Sequence, residues 1–176
     1  MKELFDPAKR KVRSLHILDS SAGLYALYLK PASALPGFDA DFDKPLYIGK
    51  ADGAGGLARR CHFKGGTRNH SPRKSLAALL EKELGLQIRA FRNRTDNSFK
   101  TWGLERDSEI ALDRWMHANL LLSVVPTLHA AVLEKLLIRE WAPPLNLTDC
   151  HQSAGHLTVS RLRGEIERRA RVLSPN

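Results

Sequence analysis

Residues 22–30, AGLYALYLK, form a continuous apolar run with Tyr25 and Tyr28 inside it, bounded by Ser20-Ser21 before and Pro31 after. A short run without polar alternation predicts a strand covered on both faces. The next stretch, PASALPGFDADFDKP (31–45), carries three prolines, a glycine and three aspartates, so it reads as a long loop. LYIGK (46–50) returns as a second strand ending at Gly49. The two strands are expected to pair as a hairpin with an extended connection.

Beyond the break DGAGG (52–56), a short helical turn is predicted over about 56–64, followed by the basic loop KGGTRNHSPRK. Ser71-Pro72 signals a helix start, with the serine as cap and the proline at the first helical position. Leu76, Leu79, Leu80 and Leu84 repeat at helical spacing, and Gly85 ends the helix. LQIRAF and SFKTWGL read as short strands around the turn RNRTDN. A helix is predicted from Asp107 to about His117, then an apolar strand NLLLSVVP. Pro126 precedes a helix over 127–141, closed by APPLN. A last helix runs over about 158–173, with Leu162, Ile166, Ala170 and Leu173 on one face. Neither repeats nor low-complexity tracts interrupt this pattern. The expectation is one α/β (α+β) domain. A basic segment (1–21) precedes a core (22–147), and a C-terminal loop and basic helix (148–176) pack on the same domain.

A chain of 176 residues with 43% hydrophobic and 27% charged residues can bury a sizeable core. No apolar run reaches the roughly 20 residues of a membrane span. The N-terminus lacks the apolar core of a signal peptide, so a cytoplasmic location is expected. The two cysteines, Cys61 and Cys150, make no disulfide framework. Each is followed by a histidine, yet the paired spacings of a zinc site are absent, which favours idle thiols. The formal charge of +9 changes the picture more. A domain this basic fits a polyanionic partner, because each neutralised phosphate releases counterions. A glycine-rich phosphate loop, which a small-phosphate enzyme would call for, is missing.

The helix over 127–141 holds an anomaly. Glu134 has Ala130, Ala131, Leu137 and Ile138 at its helical neighbour positions, whereas His129, Lys135 and Arg139 fall on the other side. An inward carboxylate is costly unless a cation meets it. An arginine could do so as a structural ion pair. A divalent metal that keeps most of its ligands as water could do so too. Both readings stand on local pattern alone.

The order of GLY (23–25), YIG (47–49), arginine in the following helix, and Glu134 ahead of PPLN resembles the GIY-YIG nuclease superfamily. The resemblance covers roughly residues 22–147. It implies a small three-stranded antiparallel sheet flanked by helices, here with an extra hairpin and the C-terminal helix. It also implies single-metal hydrolysis of a DNA phosphodiester, with Mg²⁺ or Mn²⁺ as cofactor. By the same resemblance, Tyr25 and Tyr47 are the two motif tyrosines, and Arg60 is the arginine of the L-x-x-R pattern. Glu134 is the metal-binding glutamate, and Asn146 shapes the site. Lys50 follows YIG and is expected near the scissile phosphate. Leucine stands for the isoleucine of the first motif, and the 31–45 loop lengthens the hairpin. Lys64 occupies the place, four residues after Arg60, where the family often has histidine or tyrosine, and His62 lies two after it. Either Arg60 or Arg59 is therefore the catalytic arginine, with His62, or His70 from the loop, in a supporting part.

On this reading Tyr25 serves as general base and Tyr47 positions it, and the reverse is also compatible. A phenol near pKa ~10 needs a neighbouring cation to act as a base at neutral pH, and Lys50 and the arginines supply it. Arg60 would meet charge on the non-bridging oxygens. Arg59, Lys64, Arg68 and Arg73 are expected to contact nucleic acid. KRKVR (9–13) reads equally as a backbone grip or a tail. The arginines of the last helix, diluted by Glu165 and Glu167, read as a solvated face. The expected partner is DNA, duplex rather than single-stranded, with no membrane and with a homodimer compatible with cutting both strands. Two other readings are a non-catalytic nucleic-acid-binding module on the same fold and a repair-type nuclease for branched or single-stranded DNA.

Overall fold

The computed structural model describes residues 21–31, 33, 35–37, 41–52, 56–59, 66–148, 150 and 154–173, together with the backbone of 10–11. The buried run found first is strand β2, Gly23–Leu29, after a short β1 at Arg10–Lys11, and all seven of its residues are buried. β3 is Tyr47–Ala51 and α1 the four-residue turn Gly56–Arg59. α2 spans Ser71–Leu84, and β4 (Ile88–Arg92) pairs β5 (Phe99–Leu104) as a separate antiparallel hairpin. α3 (Arg106–Asn119) runs directly into β6 (Leu120–Pro126); α4 (Ala130–Trp141) and α5 (Ala154–Val172) complete the chain.

The main sheet has the order β1-β6-β2-β3, with every pair antiparallel. Its three long strands are the expected small sheet. β1 adds a fourth, so part of the basic N-terminal segment is a strand rather than a tail. In the β2–β3 register Tyr25 lies opposite Gly49 and Leu27 opposite Tyr47. Alternation along a strand then gives the sheet two different faces. Tyr25, Leu27, Leu29, Ala51 and the partly buried Tyr47 join the larger core with α2, α3, α5 and the hairpin. Leu24, Ala26, Tyr28 and Ile48 face the other way, against Ala130, Leu137 and Ile138 of α4.

Several helix ends differ from expectation for local reasons. Ser71 is the first residue of α2 rather than its cap; His70 holds the cap position without a side-chain bond. The Ser71 hydroxyl instead accepts from Arg163 of α5 at 3.1 Å. Gly85, at φ +60°, takes the left-handed turn that ends α2. α4 begins at Ala130, because Thr127 Oγ1 accepts the His129 N–H at 3.1 Å in a turn that precedes it. α4 ends at Ala142, also left-handed at φ 43°, and this sends Pro143–Asn146 back along β3. The buried face of α5 is Val159, Ile166 and Ala170; Leu162 is half-buried and Leu173 is exposed.

Candidate active site

Sheet register brings the two motif tyrosines together. The Tyr25 and Tyr47 ring centroids are 6.0 Å apart and tilted by 35°. Gly49 is the floor beneath them. A Cβ there would overlap the Tyr25 hydroxyl, lie 2.5 Å from its Cζ and stand 2.8 Å from Tyr47 Cε1. The glycine of YIG is therefore needed for space, since its φ is not left-handed and any residue could adopt the backbone. Tyr25 is 3% exposed, whereas Tyr47 is only half-buried.

The free side of β3 is held by the chain that follows α4. Leu145 N–H donates to Leu46 O at 2.9 Å, and the buried Asn146 bonds both polar groups of Ile48. PPLN thus acts as a short extra edge that fixes the strand carrying Tyr47 and Gly49.

Glu134 is half-buried on the side of α4 that carries the buried Ala130, Leu137 and Ile138. Of the neighbours that its spacing named, these three are buried and Ala131 is exposed. α4 covers the sheet face opposite the two phenols. Lys50 alternates with Gly49, so it shares the α4 side with Ile48, and its Nζ pairs with Asp52 at 2.9 Å. Lys50 and the apolar face of α4 thus lie on the sheet face opposite the two phenols. A single half-buried carboxylate such as Glu134 fits a hard divalent cation that keeps water in most of its shell. Among the described residues, no group of three His, Cys, Asp or Glu side chains forms a fuller cage.

The remaining expectations divide. Arg59 lies in α1, whereas Arg60, His62 and Lys64 lie outside the described residues. His70 caps α2 by position and is half-buried. Arg68 stacks on the Phe91 ring at 4.7 Å. Arg73 requires a correction. It is 0% exposed, pairing Glu109 at 2.6 Å and also bonding Asp113, both from α3. Its guanidinium ties α2 to α3 and does not reach a bound strand.

The arginines of α5 also sort in a way the sequence did not announce. Arg161 pairs Glu165 and Arg171 pairs Glu167, both one turn away, and Arg169 pairs Glu81 of α2. Arg163 turns inward onto α2 instead. Burial draws its pKa below the usual arginine value, while Glu167 and the Tyr47 phenol act in the opposite direction. Lys74 of α2 is held down to about 8, first by burial and then by Arg163. Arg163 was expected on the solvated face of the last helix and instead packs on α2, and Lys74 was not singled out by the sequence.

A family model described as GIY-YIG catalytic domain matches residues 23–165, most of the chain. Neither the curated proteins nor the solved structures give a match.

Proposed function

Because this chain belongs to the GIY-YIG nuclease superfamily, we propose that it is a metal-dependent endonuclease that hydrolyses DNA phosphodiesters. The observation that carries the reading is the pair of phenols meeting over Gly49, which a side chain there would push apart.

Tyr47 is the better general base of the two, an exchange of the roles expected from the sequence. A base must meet the attacking water, and the half-buried Tyr47 is more accessible than the enclosed Tyr25. Tyr25 then orients its neighbour across the 6.0 Å ring contact. Arg60 or Arg59 meets the charge that gathers on the non-bridging oxygens, because a guanidinium stays protonated and forks. Lys50, on the other side of β3, neutralises the same phosphodiester. Asn146 keeps β3 in register. Glu134 would hold Mg²⁺ or Mn²⁺, which supplies Lewis-acid charge at the leaving oxygen. Contacts from Arg68 and Lys64, a preference for duplex DNA and association as a homodimer complete the proposal.

The test is cleavage of plasmid, single-stranded and branched DNA with Mg²⁺ or Mn²⁺, comparing wild type with Glu134→Ala. Cutting by the wild type and none by the variant, with DNA binding retained, supports the enzyme. Binding without cutting by either protein on any substrate would establish a non-catalytic module instead. Cleavage confined to branched or single-stranded DNA would place the enzyme among repair-type nucleases.

A further inference from the structure

α5 carries the same kind of anomaly as Glu134. Its buried positions Val159, Ile166 and Ala170 leave one gap in the helical series i, i+4, i+7, i+11, and Arg163 fills it. A cation on a core-facing stripe needs partners. Arg163 Nη1 donates to Ser71 Oγ at 3.1 Å and to Ser75 Oγ at 3.2 Å, both on the first turns of α2. The Ser75 hydroxyl donates onward to Leu145 O at 3.4 Å, and Leu145 N–H donates to Leu46 O at 2.9 Å. Arg163 is thereby linked to the residue before Tyr47, and the ionised form of that phenol would favour the charged guanidinium.

Lys74 lies between those serines in the chain. Its Nζ donates to Thr101 Oγ1 at 2.6 Å and sits 4.9 Å from the Trp102 ring centroid. Burial and Arg163 together lower its pKa to about 8. Glu167 offsets part of this for both cations, but it is already paired to Arg171 at 2.6 Å. Two cations partly withdrawn from water, each disfavouring the other, are an arrangement that an anion would relieve. Every further group they offer is a donor: the ammonium has three N–H bonds and the guanidinium five. Such a set suits the non-bridging oxygens of a phosphate.

We propose that Lys74, Arg163 and the exposed Ser71 hydroxyl form a phosphate subsite beside Tyr47, gripping the backbone of the bound strand next to the bond that is cut. The proposal rests on the nuclease reading and adds to it a place for a second phosphate. It also gives α5 a part in the site, through one inward arginine rather than through its exposed ones.

Binding of a fluorescein-labelled oligonucleotide, duplex or single-stranded, followed by anisotropy in EDTA across a salt series, tests this without any cleavage step. Lys74→Met and Arg163→Met are each expected to weaken binding by about tenfold or more. Each should also flatten the dependence of log affinity on log salt by about one. Lys82→Met, an exposed cation about two turns further along α2, should leave affinity within about twofold and the slope unchanged to within roughly half a unit. Should Arg163→Met fail to fold, Lys74→Met alone carries the test, since it keeps the stem packed on Trp102. Wild-type binding matched in affinity and slope by the two variants would overturn the subsite and leave the nuclease reading intact. A wild type that binds no oligonucleotide at all would overturn the nuclease reading, and the subsite with it.

Discussion

Asn146 holds Ile48 by both of its backbone polar groups: its Oδ1 accepts the Ile48 N–H at 2.9 Å, and its Nδ2 donates to the Ile48 carbonyl at 2.8 Å. One side chain thus substitutes for a neighbouring strand, at the residue between Tyr47 and Gly49. Asn146→Ala strips partners from two buried groups, each worth about 1–3 kcal/mol when left unsatisfied. A loss of roughly 2–4 kcal/mol in urea unfolding is expected, with a fall in cleavage. Asn146→Asp keeps the acceptor, loses the donor and buries a charge. It should not rescue.

Gly49→Ala places a methyl group against both phenols, 2.5 Å from Tyr25 Cζ and 2.8 Å from Tyr47 Cε1. Overpacking of this kind costs about 1–3 kcal/mol. Misplacing a reacting group costs more in rate, on the order of a hundredfold. Thermal melting and plasmid cleavage of the same variant should show a modest first effect and a large second one.

Tyr47→Phe is expected to lower the cleavage rate by about 10²- to 10⁴-fold, the range for loss of a general base, with little change in melting. Tyr25→Phe should cost less activity. Single-turnover cleavage of a short duplex ranks them, and the opposite order would return the base to Tyr25.

Arg73→Met leaves Glu109 and Asp113 without the buried guanidinium that meets both. Breaking a buried pair from one side costs about 3–5 kcal/mol. Urea unfolding should show that loss, while the salt dependence of DNA affinity stays that of the wild type. A stable variant with weakened binding would restore Arg73 to the nucleic-acid interface.

Lys74 gives a pH dependence of defined sign. Its folded pKa, about 8, lies below the ordinary lysine value of 10.5, chiefly through burial against Thr101 and Trp102, then through Arg163, with Glu167 opposing. Between those values the unfolded chain holds a proton that the folded one has released. Stability relative to Lys74→Met should therefore rise as pH climbs from about 8 to 10.5. DNA affinity should move the other way, falling above pH 8 as the ammonium is lost. Urea midpoints and anisotropy across that range read both.

The strands, helices and their order were legible because apolar period and turn residues mark them locally. The Tyr25–Gly49 register of the hairpin, spanning a long loop, was not legible, whereas the hairpin itself was, as two apolar runs around that proline-rich loop. Glu134 stood out for the same reason: an acid among Ala130, Leu137 and Ile138 breaks a pattern that can be seen within a few turns. Arg73 was misjudged because its partners arrive 36 and 40 residues later, as Glu109 and Asp113 on α3. Those two acids are four residues apart, and that spacing was the signal available. Arg163 was read with the solvated arginines because the stripe on α5 was drawn through Leu162, Ile166, Ala170 and Leu173, whereas the buried positions are Val159, Ile166 and Ala170. With the correct phase the arginine would have appeared as the intruder in an apolar row. Which sheet face each helix covers is a tertiary fact, so the placement of α4 on the face away from the phenols could not be read beforehand.

β3 is the last strand of its sheet, and Leu145 and Asn146 already occupy its outward hydrogen-bonding groups at Leu46 and Ile48. Such rims are where chains most readily template one another. With that rim closed along Leu46–Ile48, a second copy cannot extend the sheet through this stretch. A pair of molecules acting on opposite strands of a duplex would therefore have to meet elsewhere, at the β1 edge, the β4–β5 hairpin or the helices.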